Sequence, residues 1–167
     1  EMKECDWSSD VCSSDLEGAL TMNAIELSKN IIAYAAMNGY QVTNLKLQKT
    51  LYYVQGYYLA RFGKPLFADE IVNWAYGPVV PEAYFKFCSY GAAPIEAEDI
   101  PNYFAGLGYG ESGYICKVVN ACLCRTARRL VEKTHTEDPW LNTFRNQTID
   151  VMSIRDFFSK NDPLGIK

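Results

Sequence analysis

The sequence predicts a mainly α-helical protein, a single compact helical domain with a short β-strand or hairpin element near residues 70–80. Apolar side chains recur at helical spacing through most of residues 22–167, which favours helices. One short segment of β-branched and aromatic residues favours a strand. The chain has 167 residues, of which 49% are apolar, and this is enough for one buried core. No run of about 18 apolar residues occurs, so we expect no membrane contact.

Residues 1–21 differ from the rest of the chain in composition. They carry one lysine and six acidic residues, a net charge of −5, whereas residues 22–167 carry 15 basic and 14 acidic residues, a net charge of +1. The segment DWSSDVCSSDL, residues 6–16, matches the in-frame translation of a sequencing adapter, and no signal-peptide pattern precedes the domain. We therefore expect residues 1–21 to be a non-native or disordered tail, Met22 to be the native start, and the protein to be cytoplasmic.

The predicted elements follow from residues that start or stop helices and strands. Asn23 or Ser28 begins a first helix that ends at Gly39. Thr43 or Asn44 caps a second helix. The second helix should end at Phe62, followed by a strand over Glu70–Tyr76 that Gly77-Pro78 breaks and by a third helix over Pro81–Tyr90. A loop over Ala92–Gly113 comes next, with an optional helix at Asp99–Ala105. The remaining predictions are a helix from Tyr114, a helix capped by Thr126, a turn over Thr134–Trp140 and a helix over Met152–Phe158.

The second helix has an apolar face wide enough to place it deep in the fold, and a basic, aromatic arc on its other side. Aromatic side chains contribute contact area and cations contribute charge complementarity, and both are enriched in protein interfaces. We therefore expect the arc to be an exposed partner-binding surface. This hypothesis implies that Lys49→Glu with Tyr53→Ala weakens binding without lowering stability. The arc consists of Lys46, Lys49, Tyr53, Tyr57, Arg61 and Lys64.

Sequence motifs for catalysis or metal binding lack their required context. Residues 108–113 spell G-x-G-x-x-G, but no convincing parallel strand precedes them. His135 is the single histidine, and the four cysteines after residue 21 all precede it, which does not fit a zinc deaminase. We expect no metal, no cofactor and no enzymatic activity, with reduced thiols that pack as small apolar groups. A Cys/His-dependent hydrolase stays open as an alternative, whereas nucleic acid is disfavoured by the low net charge.

Three sequence blocks together resemble the Panacea domain of SocA-like antitoxins, a family often found in phages and prophages. The blocks are LKLQK continuing to LYYVQGYY at residues 45–58, WAYGPVVP at residues 74–81, and THTEDPW at residues 134–140. The resemblance covers about residues 24–158, so residues 22–167 are identified as a Panacea domain. It implies a mainly helical fold and an antitoxin that neutralises a toxin encoded by an adjacent gene through direct binding. A proteolytic adaptor, which delivers the toxin to a cytosolic protease, is the second alternative.

The resemblance also indicates which residues matter. It implies structural roles for Leu47, Leu51, Trp74, Gly77, Pro78 and Pro81. It implies roles beyond packing for Lys46, Gln48, Lys49, Trp74, His135 and Trp140. Together with Tyr53, Tyr57 and Arg61 from the arc, this second set makes up the candidate partner-binding residues.

Overall fold

The fold is mainly α-helical and contains a small β-hairpin, which confirms the predicted fold class. The computed structural model describes residues 22–167, so the predictions about residues 1–21 lie outside the described residues. The elements in chain order are α1 (Ala24–Met37), α2 (Asn44–Phe62), β1 (Val72–Trp74), β2 (Gly77–Val79), α3 (Pro81–Lys86), a 3₁₀ turn (Cys88–Tyr90), α4 (Tyr109–Leu123), α5 (Ala127–Thr134), α6 (Asp138–Leu141) and α7 (Val151–Lys160).

The first two helices begin and end where their capping residues predict. The side chain of Asn23 accepts a hydrogen bond from the backbone of Glu26, whose own side chain caps the Asn23 amide in return. The Thr43 hydroxyl accepts a hydrogen bond from the Lys46 amide, and α2 ends at Gly63 with φ +72°. A left-handed residue at this position suits glycine because it has no Cβ.

Helix α2 lies at the centre of the fold and is buried without interruption from residue 47 to residue 59. It packs against α1, α4, α5, α7 and the hairpin, which together cover all of its faces along this stretch. Gly56 makes the closest of these approaches possible, because a Cβ there would overlap the ring of Phe158 from α7. Rings of Tyr52, Tyr53 and Tyr57 surround Phe158 edge-on, with centroids 5.0–6.0 Å away.

Several predicted boundaries are wrong. Helix α4 begins at Tyr109, within the predicted loop, because Glu111 accepts a hydrogen bond from the Gly108 amide and completes a cap that the glycine-rich sequence obscures. The optional helix over residues 99–105 is not present. The predicted third helix splits into α3 and the 3₁₀ turn, and the predicted turn at residues 134–140 contains the start of α6. The cap at Thr126 and the final helix are confirmed.

The predicted strand is one half of an antiparallel hairpin. Its partner β2 begins at Gly77-Pro78, the residues predicted to break the strand, because a two-residue turn reverses the chain between Trp74 and Gly77. The other side of β1 is occupied by a later segment. Asn73 donates its amide to the Gln147 carbonyl at 3.0 Å and accepts from the Asn146 amide at 2.8 Å. The hairpin is therefore tied to the loop that precedes α7.

Candidate protein-binding groove

The basic, aromatic arc of α2 is largely interior, so the prediction that it forms an exposed surface is wrong. Three residues of the arc are fully buried because other elements surround α2 on all sides, namely Lys49, Tyr53 and Tyr57. The candidate residue Gln48, which lies next to the arc, is 1% exposed. The substitution pair Lys49→Glu and Tyr53→Ala would therefore disturb the interior, so we expect it to lower the stability of the protein rather than leave it unchanged. Arg61 alone of the arc is exposed, while Lys46 and Lys64 are half-buried.

Two of these buried polar residues hold the outer edge of β2. The Lys49 ammonium group donates to the Pro78 carbonyl at 2.6 Å, and the Gln48 side-chain oxygen accepts from the Val80 amide at 3.0 Å. Backbone groups at a buried sheet edge need partners, and here α2 provides them from its side chains. Gly77 is required at this contact, because its φ is +100° and a Cβ there would lie 2.6 Å from the Thr134 hydroxyl.

A second set of polar residues lies deeper, between α2 and the start of α6. The Tyr53 hydroxyl donates to Glu137 Oε1 at 2.7 Å, and Glu137 is 3% exposed. Burial raises the pKa of Glu137 to about 7, and the hydrogen bond from Tyr53 only partly offsets this. Burial likewise lowers the pKa of Lys49 to about 7, because its ammonium group has lost its hydration.

The turn of the hairpin is held from the other side by two aromatic residues of the third sequence block. Trp140 donates its indole N–H to the Trp74 carbonyl at 3.1 Å, and the His135 ring stacks on Trp140 with centroids 4.2 Å apart. Burial and the nearby Lys49 lower the pKa of His135. These side chains position the hairpin and its turn.

The structure thus brings six of the nine candidate residues together around the hairpin and leaves three elsewhere. The six are Gln48, Lys49, Tyr53, Trp74, His135 and Trp140. The Lys46 ammonium donates to the Leu123 carbonyl at 2.8 Å. Tyr57 donates to Asp162 at 2.6 Å, and Arg61 lies over the Tyr114 ring at 5.9 Å. Their contacts are with α4 and with the segment after α7, so they do not belong to the same site. Whether any of the nine contacts a partner stays a prediction.

A groove of about 540 Å³ opens beside the hairpin. It runs between the first turn of α2, the hairpin turn, α3 with its 3₁₀ turn, and the loop before α7. Its lining is mainly apolar and aromatic. Trp74 is the one candidate residue whose ring lines this groove, while Gln48 lies at its base. The lining residues are Asn44, Leu45, Gln48, Trp74, Ala75, Tyr76, Val79, Tyr84, Cys88, Gly91, Ala92, Arg145 and Asn146.

Aromatic rings dominate one wall of this groove. The Trp74 ring meets the Tyr84 ring edge-on at 5.0 Å, and Phe85 continues the cluster at 5.5 Å from Tyr84. Tyr76, in the hairpin turn, is 70% exposed, and Leu45 on the first turn of α2 is 39% exposed. Apolar rings and aliphatic groups that remain accessible in one concave surface are typical of a binding site.

Sequence reasoning missed most of the exposed residues of the groove. Tyr76 could have been found from the two-residue spacing between the strands, which places it in the hairpin turn once Gly77 is taken as the start of β2. No local pattern marks Leu45, which lies at the edge of an apolar helix face, or Arg145, which lies in an irregular loop. Only the tertiary contacts bring these two residues together.

The four described thiols differ in burial: Cys122 is buried and Cys116 is half-buried, whereas Cys88 and Cys124 are exposed, which contradicts the prediction that all of them pack as small apolar groups. Burial raises the pKa of Cys122 to about 12 and also raises that of Cys116, which favours the unreactive thiol. Within residues 22–167, no three His, Cys, Asp or Glu side chains are grouped so that they could hold a metal ion. No helix in the same part of the chain is long and apolar enough to cross a membrane.

A concave apolar surface with polar residues at its rim is the anatomy of a protein-binding domain. The family model of the antitoxin SocA-like Panacea domain matches residues 47–141, and the chain belongs to this family. A curated relative, antitoxin SocA of Caulobacter vibrioides (strain NA1000 / CB15N), is 32% identical over 71 residues. These residues are 42% of this chain and 38% of that antitoxin, so the chain spans well under half of the relative's length. No solved structure matches the chain. Family membership supports an antitoxin role.

Proposed function

We propose that this protein neutralises a toxin protein, encoded by an adjacent gene, by binding it directly through the groove beside the hairpin. The observation that carries the proposal is an aromatic wall, with Tyr76 exposed and Trp74 and Tyr84 half-buried, in a groove of about 540 Å³. A groove of this size takes several side chains of a partner segment.

The support beneath the groove favours tight binding. Gln48 and Lys49 hold β2, and Trp140 holds the turn, so the hairpin keeps its shape without a partner. A surface that is already ordered loses little conformational entropy on binding, and this leaves more of the contact energy as affinity. The buried polar residues therefore contribute to binding indirectly, as positioning residues.

The proposed inhibition requires a contact larger than the groove. A stable interface buries about 800 Å² of surface on each partner, and the surface of the groove alone is smaller than this. Exposed apolar residues next to it, such as Phe85 at 63% exposure, extend the surface. A toxin that docks on this whole face has part of its own surface covered, and its active surface is occluded or misaligned.

Growth rescue tests the proposal. Co-expression of the neighbouring gene's product with this protein should restore growth, and the purified proteins should form a stoichiometric complex. Tyr76→Ala should weaken the complex by about tenfold or more, because truncation of an aromatic hot-spot residue costs about 2 kcal/mol or more in binding. Tyr109→Ala is the matched control, since Tyr109 is 97% exposed but lies at the start of α4, away from the groove.

Both variants should melt at the wild-type temperature, so any difference in rescue reports binding. Continued toxicity in the presence of the soluble wild-type protein would refute the antitoxin proposal. Equal rescue by Tyr76→Ala and by the wild type, with equal affinities, would refute the groove as the binding site.

A further inference from the structure

We propose that the toxin segment held in this groove carries an aromatic side chain beside an acidic side chain, with the ring against Trp74 and the carboxylate against Arg145. This inference rests on the proposed function and specifies the partner of the same groove. It follows from three properties of the lining, namely its charge, its fixed geometry and the state of its polar groups.

The charge of the groove is positive. Arg145 is exposed at the rim, and no Asp or Glu is among the lining residues. Arg145 forms no ion pair with any side chain of residues 22–167. A guanidinium group at the edge of an apolar surface, with no carboxylate beside it, is complementary to a partner's carboxylate.

The backbone on both sides of Arg145 is fixed. Asn146 donates its amide to the Asn73 carbonyl at 2.8 Å, and the Asn73 side chain donates to the carbonyls of Trp140 and Thr143 at 2.7 and 2.8 Å. The loop that carries Arg145 is thereby attached to β1, the strand that ends at Trp74. The backbones of Arg145 and Trp74 are thus held on one support, and both residues line the groove.

Two polar side chains of α2 that line the groove, Asn44 and Gln48, already have partners. Asn44 donates to the Tyr84 carbonyl at 3.0 Å and accepts from Gln48 at 2.9 Å, while Gln48 accepts from the Val80 amide. A partner therefore meets apolar contact at the base of the groove, where an aromatic ring buries the most area. Ionic contact remains at the rim, through Arg145. A single cation does not provide the several phosphate contacts that nucleic acid needs.

Matched dipeptides test this assignment without knowledge of the toxin. The probes are acetyl-Glu-Trp-amide and acetyl-Gln-Trp-amide, which differ only in charge, and acetyl-Glu-Ala-amide, which lacks the ring. Titration of the ¹⁵N-labelled protein should perturb resonances of Trp74 and Tyr84. The Glu-Trp probe should bind about two- to fivefold more tightly than the Gln-Trp probe, the range expected for an exposed ion pair. Added salt should reduce this preference.

Two arginine variants separate a specific contact from general charge. Arg145→Gln should give the Glu-Trp and Gln-Trp probes equal affinities. Arg129→Gln, on the exposed face of α5 and outside the groove, should keep the wild-type preference. The Glu-Ala probe should bind at least tenfold more weakly than the Glu-Trp probe.

Each contrary result removes a stated part of the inference. Equal affinity of the Glu-Trp and Gln-Trp probes for the wild type, or a preference that survives Arg145→Gln, overturns the carboxylate contact. Perturbation outside the groove, or no binding of the Glu-Trp probe, overturns the aromatic contact. Growth rescue is measured separately. Rescue without the probe preference leaves the proposed function standing and refutes this inference, and failure of rescue refutes the proposed function itself.

Discussion

The buried amine of Lys49 makes the stability of this protein depend on pH, as an exposed lysine would not. Burial lowers the pKa of Lys49 from 10.5 to about 7 in the folded protein. Between these two values the unfolded chain keeps the proton and the folded protein has lost it. Stability therefore rises with pH in this window, by up to about 1.4 kcal/mol for each pH unit.

Lys49→Met tests this coupling, because methionine has a similar length and no titratable group. Between about pH 7.5 and about pH 9, the wild type should gain about 2 kcal/mol of unfolding free energy relative to the variant. This gain is the slope of about 1.4 kcal/mol per pH unit applied over about 1.5 pH units. It is slightly reduced near pH 7.5, where a fraction of Lys49 in the folded protein is still protonated and the slope is smaller. Urea denaturation at both pH values measures the free energy of unfolding of each protein. Other groups that titrate differently on unfolding, such as Cys122, contribute equally to both proteins, so their contribution cancels in the difference.

Lys117→Met is the control, since Lys117 is exposed on α4 and should leave the pH profile unchanged. Parallel profiles for the wild type and Lys49→Met would refute the reasoning, because they would mean that the Lys49 amine keeps its proton and its hydration in the folded protein.

Three further perturbations probe the support of the hairpin and the centre of the fold. Gly77→Ala should destabilise the protein by about 2–4 kcal/mol, because φ is +100° and the new Cβ meets a hydroxyl of α5. Gly63→Ala is the control, because φ is +72° there but the space is open, and it should cost about 1 kcal/mol in the same denaturation assay. Glu137 is protonated in the folded state up to about pH 7, so wild-type stability should fall as the pH rises from 4.5 through 7. Glu137→Gln should remove that fall, whereas an unchanged profile would show that the carboxyl is hydrated. Tyr57→Phe should cost about 1–2 kcal/mol by loss of the hydrogen bond to Asp162, and an unaltered melting temperature would contradict that contact.

Local signals in the sequence were sufficient wherever one residue decides a boundary. Asn23, Thr43, Thr126 and Gly63 cap or end their helices as predicted, because a capping side chain or a left-handed glycine acts within a few residues of its own position. The width of the apolar face of α2 correctly predicted that this helix lies deep in the fold. Family membership was predictable because the three motif blocks keep their order and spacing.

The groove could not be predicted in the same way, because it depends on contacts between residues far apart in the chain. Trp74 and Arg145 are 71 positions apart and line one groove only because the segment before α7 pairs with β1. The arc of α2 shows the same limit. A lysine in a basic, aromatic pattern is normally exposed, but the Pro78 carbonyl at the edge of β2 requires a donor, and the position of β2 against α2 is a tertiary property.

The sequence by itself determined the helical class, the main helix ends and the antitoxin family, since periodicity, capping and motif spacing are properties of neighbouring residues. The tertiary structure decided which polar residues support the interior and which remain available to a partner. Burial is set by what packs against a residue, and the partners of Lys49, Tyr53 and Tyr57 come from distant parts of the chain. For that reason the candidate binding surface moved from the arc of α2 to the groove beside the hairpin.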